Sequence, residues 1–204
     1  MSLRVGVLAS GAGTNLQAIL DRLHGREGVE VVAVGSDQPD ARALERAALA
    51  GVPTAVFARE DHPDRAARDA ALAGWLEERG TGLVVLAGYM QLLGPGFLAR
   101  FPGRVVNVHP ALLPAFPGIR AVEQALDYGV KVFGVTVHFV DEGVDTGPII
   151  LQRAIELPAA TEPEEVRAAL RPLEHDLLCE AVRLIALGAV RIDPAHRRRV
   201  LVAR

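Results

Sequence analysis

The first half of the chain alternates short, nearly continuous apolar runs with stretches whose apolar residues recur three or four positions apart. Leu3–Ala9 carries two valines in a nearly unbroken apolar run, the pattern of a strand buried on both faces of a parallel sheet. A tight turn at Gly11–Asn15 follows, and Leu16, Ile19, Leu20 and Leu23 then recur at helical spacing. Val29–Val34 predicts a second strand, Ala41–Ala50 a helix stopped by Gly51, and Thr54–Phe57 a short third strand. Pro63–Arg79 predicts a longer helix stopped by Gly80, Leu83–Ala87 a fourth strand and Val105–Val108 a fifth. Strands alternating with helices predict an α/β fold: an open, mostly parallel twisted sheet with helices on both faces.

The second half has a different rhythm. Val132–Val140 alternates valine and phenylalanine with smaller or polar residues, and Pro148–Ile155 is another apolar run. These two are expected to pair as antiparallel strands that extend the sheet. Pro163–Leu187 predicts a long helix bent near Pro172. Residues 189–192 and 199–203 predict short terminal strands flanking Pro194. No repeat or low-complexity linker divides the chain, so one domain is expected over residues 1–190, with halves at 1–103 and 104–190, and a short basic tail at 191–204.

Composition narrows the function classes. Of 204 residues, 50% are hydrophobic, enough for a sizeable core, and the net charge of -3 argues against a nucleic-acid or anionic-membrane partner. The single cysteine, Cys179, rules out an intrachain disulfide. No stretch approaches the roughly 18 unbroken apolar residues of a membrane span. The apolar run at residues 3–9 is broken by Gly11 and Gly13 before it reaches signal length. A cytoplasmic enzyme fits; composition alone leaves a binding module open.

Two places carry candidate chemistry. In Ser10-Gly11-Ala12-Gly13-Thr14-Asn15, glycines permit a sharp turn and close backbone approach, and the following helix start offers unpaired N–H groups that suit a phosphate. Leu16 stands where the dinucleotide fingerprint needs glycine, and no Gly-Lys-Ser/Thr follows, so a mononucleotide phosphate is favoured over NAD or ATP. A plain strand–helix turn capped by Thr14 accounts for the turn equally well. The second place is Asn107-Val108-His109-Pro110, at the carboxyl end of the fifth strand, where ligands bind in open α/β sheets. Asn107 and His109 point to one side. A lone histidine there reads as a core residue bonded to a carbonyl; the pair favours chemistry. Asp145, in a Gly-punctuated loop, reads by itself as an Asx-turn residue.

These residues resemble a known family. Asn107-Val108-His109-Pro110-Ala111-Leu112-Leu113-Pro114 looks like the Asn-x-His-Pro-Ser-Leu-Leu-Pro signature of the phosphoribosylglycinamide formyltransferases. Ser10–Ile19, Ala87–Leu93, Val135–Glu142 and Asp145–Ile150 are similar to that family's other blocks, in order from about residue 3 to residue 190. The resemblance implies a formyl transfer from 10-formyltetrahydrofolate to 5'-phosphoribosylglycinamide (GAR), without a metal, by a monomer or homodimer. It implies that Asn107, His109 and Asp145 are the catalytic trio, with His109 the acid and Asp145 holding its charge and orientation. Gly11, Gly13, Thr14, Asn15, Pro110 and Glu174 fall on the GAR side, Glu174 at the ribose. Arg65, Met90, Gln91, Leu92, Leu93, Asn107, Asp141, Glu142, Gly143, Val144 and Asp145 fall on the folate side. The N-terminal half is read as the nucleotide-phosphate half and the C-terminal half as the folate and catalytic half, with Arg65 and Met90–Leu93 reaching the folate from the first.

Such a transfer develops a tetrahedral oxyanion, and losing one donor aimed at it costs roughly 3 kcal/mol. Asn107 and His109 can both donate. The unperturbed histidine pKa of about 6.5 means that His109 needs a carboxylate partner to stay charged near neutral pH. The chain departs from the family at Ala111, which replaces a serine, and at Gln91, Ala115, Arg120 and Val122, where some members carry arginine, lysine and histidines. Two relatives compete: a formyltetrahydrofolate hydrolase, expected to precede the first strand with a regulatory domain, and a methionyl-tRNA formyltransferase, expected to add an RNA-binding domain and positive charge. A non-catalytic mononucleotide-binding module is the alternative from another class.

The remaining singled-out residues have plainer expectations. His138, mid-strand, reads as structural, although the resemblance puts it near the site. His175 neighbours the ribose contact, His24 and His62 read as surface residues, and Trp75 with Leu72 and Leu76 as core. Cys179 reads as a buried small hydrophobe, His196-Arg197-Arg198-Arg199 as a solvated basic tail, and no spacing suits a metal.

Overall fold

A computed structural model describes residues 2–203 of the chain; the outer ends expected for the domain and the tail, Met1 and Arg204, lie outside them. Among the described residues, seven strands form one sheet in the order β3-β2-β1-β4-β5-β6-β7, and two short strands form a separate hairpin. The chain divides into two compact units, one up to Val106 and one from Asn107 onward.

In the first unit, β1 (Leu3–Leu8) pairs in parallel with β2 (Val29–Ser36) and with β4 (Leu83–Leu86), and β2 pairs in parallel with β3 (Thr54–Val56). Being flanked on both edges and covered on both faces is why β1 and β2 read as continuous apolar runs. Val5, Val7, Leu8 and Val34 are fully buried. The helices are α1 (Thr14–Arg22), α2 (Arg42–Leu49), α3 (Arg65–Glu78) and α4 (Pro95–Arg100). Leu16, Ile19, Leu72 and Leu76 are buried from α1 and α3, at the spacing that predicted those helices. A Cβ on Gly6 of β1 would lie 2.7 Å from Leu76 Cδ2, so glycine sets how closely α3 packs on the strand. Asp64 starts α3 by accepting the Ala67 amide at 2.8 Å.

β5 (Val105–His109) carries the chain into the second unit. There β6 (Val132–Phe139) and β7 (Ile149–Glu156) pair antiparallel as expected, from Val132↔Glu156 to His138↔Ile149. Helix α6 (Pro163–Ala186) starts with proline at its first turn and runs through Pro172. It buries Val166, Leu170, Leu177 and Leu178 and packs on β6. Cys179 is buried, as expected. The terminal strands form as β8 (Val190–Ile192) and β9 (Val200–Val202), an antiparallel pair. Among the described residues no helix is long and apolar enough to cross a membrane.

The sequence pattern did not predict α4 or α5 (Ala121–Tyr128). Six residues are too few for periodicity to show in α4, and α5 begins after Arg120 in a left-handed conformation, φ 61°, with no side-chain cap to mark its start.

Candidate active site

Asn107 and His109 close β5, and strand alternation turns them to the same side. Asp145 comes from the loop between β6 and β7, with φ at 53°, a left-handed backbone that aspartate tolerates better than most residues. Its Oδ2 stands 3.3 Å from His109 Nδ1 and accepts the Gly118 amide at 2.7 Å. His109 Nε2 lies 2.8 Å from the Phe116 carbonyl oxygen. Both ring nitrogens of this buried histidine therefore face acceptors. That arrangement suits a proton donor.

The other carboxylate oxygen of Asp145 accepts from Asn107 Nδ2 at 3.4 Å and stands 3.5 Å from His138 Nε2. Asn107 Nδ2 is also 3.2 Å from His138 Nε2. His138 Nδ1 faces the Phe139 carbonyl oxygen at 2.8 Å, while its Nε2 faces both Asn107 Nδ2 and Asp145 Oδ1. His138, expected to be structural, is thus a fourth member of the cluster. The available signal was its place at the end of β6, in the same block as Asp145. Burial works against charge on Asp145, but the hydrogen bonds from His138 and the Gly118 amide, with the charges of His109 and His138, outweigh it and hold the carboxyl below its ordinary 3.8.

The Asx-turn expected of Asp145 belongs instead to Asp141. Its Oδ1 accepts from the Gly143 amide at 3.1 Å and from Thr146 Oγ1 at 2.6 Å. Glu142, Gly143 and Val144 are exposed on this loop. A Cβ on Gly147 would sit 1.8 Å from the Phe139 carbonyl oxygen, so the loop's return past β6 requires glycine. The segment after Pro110 is tied down from β6 and β7. Thr136 Oγ1 donates to the Ala111 carbonyl at 2.7 Å and accepts the Leu113 amide at 3.1 Å, while Gln152 Nε2 donates to the Leu113 carbonyl at 2.9 Å.

A cavity of about 230 Å³ adjoins the cluster, lined by Leu113, Pro117, Val144, Asp145, Ile149 and Arg198 among others. The basic run at residues 196–199 is exposed, and Arg198 lines this cavity. Glu174 and His175 are half-buried together midway along α6.

In the first unit, Gly13 is the N-cap of α1 at φ 68°, and no side chain caps the helix. The expected Thr14 cap is corrected: Thr14 is the first helical residue. A Cβ on Gly13 would lie 2.7 Å from Ala43 Cα. The Gly11 carbonyl accepts from the Ala43 amide at 3.1 Å and the Ala12 carbonyl from Arg46 Nε at 2.8 Å. The loop's carbonyls are thus turned toward α2, an arrangement compatible with an anion at its amides.

Met90 and Leu92 are exposed, and Gln91 and Leu93 half-buried. Arg65 and Gln91 come together, lining a cavity of about 420 Å³ with Arg59, His62 and Arg68. His62 is half-buried and stacks on Phe57, and half-buried His24 accepts the Val31 amide at 3.1 Å through Nδ1. Neither is the free surface residue expected. Trp75 is half-buried rather than core: its ring meets Phe57 edge-on, and the Arg79 guanidinium lies 4.3 Å from the ring centroid. Among the described residues no group of three or more His, Cys, Asp or Glu is placed to hold a metal ion.

A mostly parallel α/β sheet with a histidine–carboxylate pair at a strand end is a site suited to proton transfer. A family model described as formyl transferase matches residues 3–182. A phosphoribosylglycinamide formyltransferase of Mycobacterium tuberculosis is 46% identical over 93% of this chain and 87% of its own length. One from Bacillus subtilis is 42% identical over 84% of this chain and 89% of its own. The crystal structure of glycinamide ribonucleotide transformylase 1 from Symbiobacterium toebii superposes with a TM-score of 0.95 at 49% identity, covering 100% of this chain and 95% of that one. The chain belongs to the formyl transferase family, and it is a formyl-transferring enzyme.

Proposed function

We propose that this enzyme transfers the formyl group of 10-formyltetrahydrofolate to the amine of GAR, giving formyl-GAR in de novo purine biosynthesis. The observation that carries the reading is the pairing of His109 Nδ1 with Asp145 Oδ2 at 3.3 Å, beside Asn107. The GAR amine attacks the formyl carbon, forming a C–N bond and a tetrahedral oxyanion. His109 and the Asn107 amide are the donors nearest to hand for that oxygen. The carbon–N10 bond of the folate then breaks. The proton given up by the amine replaces the one delivered to the departing nitrogen, with His109 as the acid.

Gly11, Gly13, Thr14 and Asn15 are assigned to the nucleotide phosphate, on the support of the carbonyls turned toward α2. Pro110 and Glu174 are assigned to the rest of GAR by family resemblance. Arg65, Met90–Leu93 and Asp141–Asp145 are assigned to the folate; the 420 Å³ cavity lined by Arg65 and Gln91 supports the first group. The reaction as written uses small molecules and needs no metal. We read the protein as a cytoplasmic monomer or homodimer acting without nucleic acid or membrane, consistent with its net charge of -3.

The test is a formyl-transfer assay with GAR and 10-formyltetrahydrofolate, following tetrahydrofolate release. GAR-dependent release is expected. Release at the same rate without GAR would move the reading to a hydrolase, and GAR binding without any release to a nucleotide-binding module.

A further inference from the structure

The first unit holds a polar network around buried Asp37, to which the chemistry above gives no role beyond Gln91 on the folate side. β1 pairs with β2 on one edge and with β4 on the other, so the residues just beyond these strands stand side by side. Ser10, Asp37 and Met90 occupy those positions. The chain's return to the far side of β1 makes this the switch point of the sheet, where ligands of open α/β folds sit.

Ser10 bridges two neighbours. Its Oγ accepts the Met90 amide at 2.8 Å and donates to Asp37 Oδ1 at 2.5 Å. Asp37 Oδ2 accepts from Gln91 Nε2 at 2.9 Å and from Gln38 Nε2 at 3.1 Å. Gln91 Oε1 in turn accepts from Arg68 Nη1 at 3.0 Å. Arg68 is paired with Asp69 at 2.9 Å, and Asp69 Oδ2 accepts the Gly94 amide at 2.7 Å.

Asp37, Arg68 and Asp69 are 4%, 3% and 3% exposed. The side-chain donors to Asp37 are one hydroxyl and two amides, all neutral. Burial pushes its carboxyl up, and these hydrogen bonds more than compensate, keeping it below its ordinary value. A buried carboxylate held by neutral donors is costly to leave short of any of them. Ser10, Asp37 and Gln91 are thereby constrained to move as one.

We propose that Asp37 is a positioning residue that couples the phosphate loop beginning at Ser10 to the folate segment Met90–Leu93, so that each substrate tightens binding of the other. The inference rests on the reading under which these two segments take GAR and folate. A shift of the loop on phosphate binding is passed to the Met90 amide through Ser10 and to the Gln91 side chain through Asp37. Asp37→Asn removes the charge and replaces one acceptor with a donor, so it cannot accept from Ser10 through one oxygen and from Gln91 through the other.

Calorimetric titration of GAR and tetrahydrofolate, a pair that cannot react, tests this in both orders. In the wild type each ligand is expected to tighten the other by the same factor, about fivefold or more, because linkage is reciprocal. In Asp37→Asn and in Ser10→Ala the factor is expected to fall below about twofold while each ligand still binds alone. Ser10→Thr, which keeps the hydroxyl, is expected to retain it. A change confined to thermal stability, with the factor intact in both loss variants, overturns the inference, as does independent binding in the wild type. Failure of the protein to bind either ligand overturns the proposed function and this inference with it; independent binding of both overturns this inference alone.

Discussion

Asp145 Oδ2 stands 3.3 Å from His109 Nδ1 and holds the Gly118 amide at 2.7 Å, so one carboxylate both faces the acid and closes the turn that covers it. The turn answers from its other side, where the Phe116 carbonyl takes the second ring nitrogen of His109. The histidine is held at both ends before any substrate arrives, the kind of preorganisation that spares reorganisation during reaction.

His109→Ala removes the proton donor and leaves the phosphate loop untouched. Turnover is expected to fall by about 10²–10⁴-fold, the usual worth of a positioned acid. GAR binding by calorimetry is expected to persist. Turnover near the wild-type rate would remove His109 from the mechanism.

Asp145→Asn keeps the shape and loses the charge. The folded carboxyl is held below its ordinary 3.8, so its ionised form contributes stability above the unfolded value, and that contribution is lost as pH falls through the folded one. The wild type is expected to melt higher than the variant at about pH 5, with a gap that closes below about pH 4. A gap independent of pH down to acid would show that the charge contributes nothing to the fold. Turnover of the variant is expected to drop steeply at every pH.

Gly147→Ala places a Cβ 1.8 Å from the Phe139 carbonyl oxygen, which backbone movement alone can relieve. A loss of about 2 kcal/mol or more is expected from a clash of this kind, read from denaturant unfolding. Because the loop carries Asp145, turnover is expected to fall as well. A variant with wild-type stability and turnover would mean that the loop returns past β6 by another route.

Thr136→Val is nearly isosteric but removes the buried hydroxyl shared by Ala111, Leu113 and Gln152. Leaving such groups short of partners costs about 1–3 kcal/mol. Stability is expected to fall by that amount, with a smaller effect on turnover than Asp145→Asn, because Thr136 holds the segment after Pro110 and touches none of the trio.

Most of the architecture was legible because its signals are local. The parallel strands are buried on both faces and read as apolar runs; α1, α3 and α6 are long enough for periodicity to show. α4 and α5 were not legible: α4 has six residues and buries one side chain, and α5 starts after a left-handed Arg120 that no local pattern marks. The Asn107–His109 pair was legible from two-residue alternation at a strand end. Asp145 was not: by itself it read as an Asx turn, and that turn belongs to Asp141, four residues earlier. His138 read from the strand pattern as structural, and only the family resemblance put it near the site.

By itself the sequence determined the order of the strands and of every helix but α4 and α5, the polar pair closing β5 and, through its motifs, the family to which the chain is similar. Those features depend on which residues stand within a few positions of one another. Only the tertiary structure decided that Asp145 and Asn107, 38 positions apart, share a hydrogen bond, that His138 joins them, and that Ser10, Asp37 and Gln91 form one buried network. Such contacts depend on the pairing of strands and on a left-handed turn at Asp145, and no local pattern encodes a distance across strands.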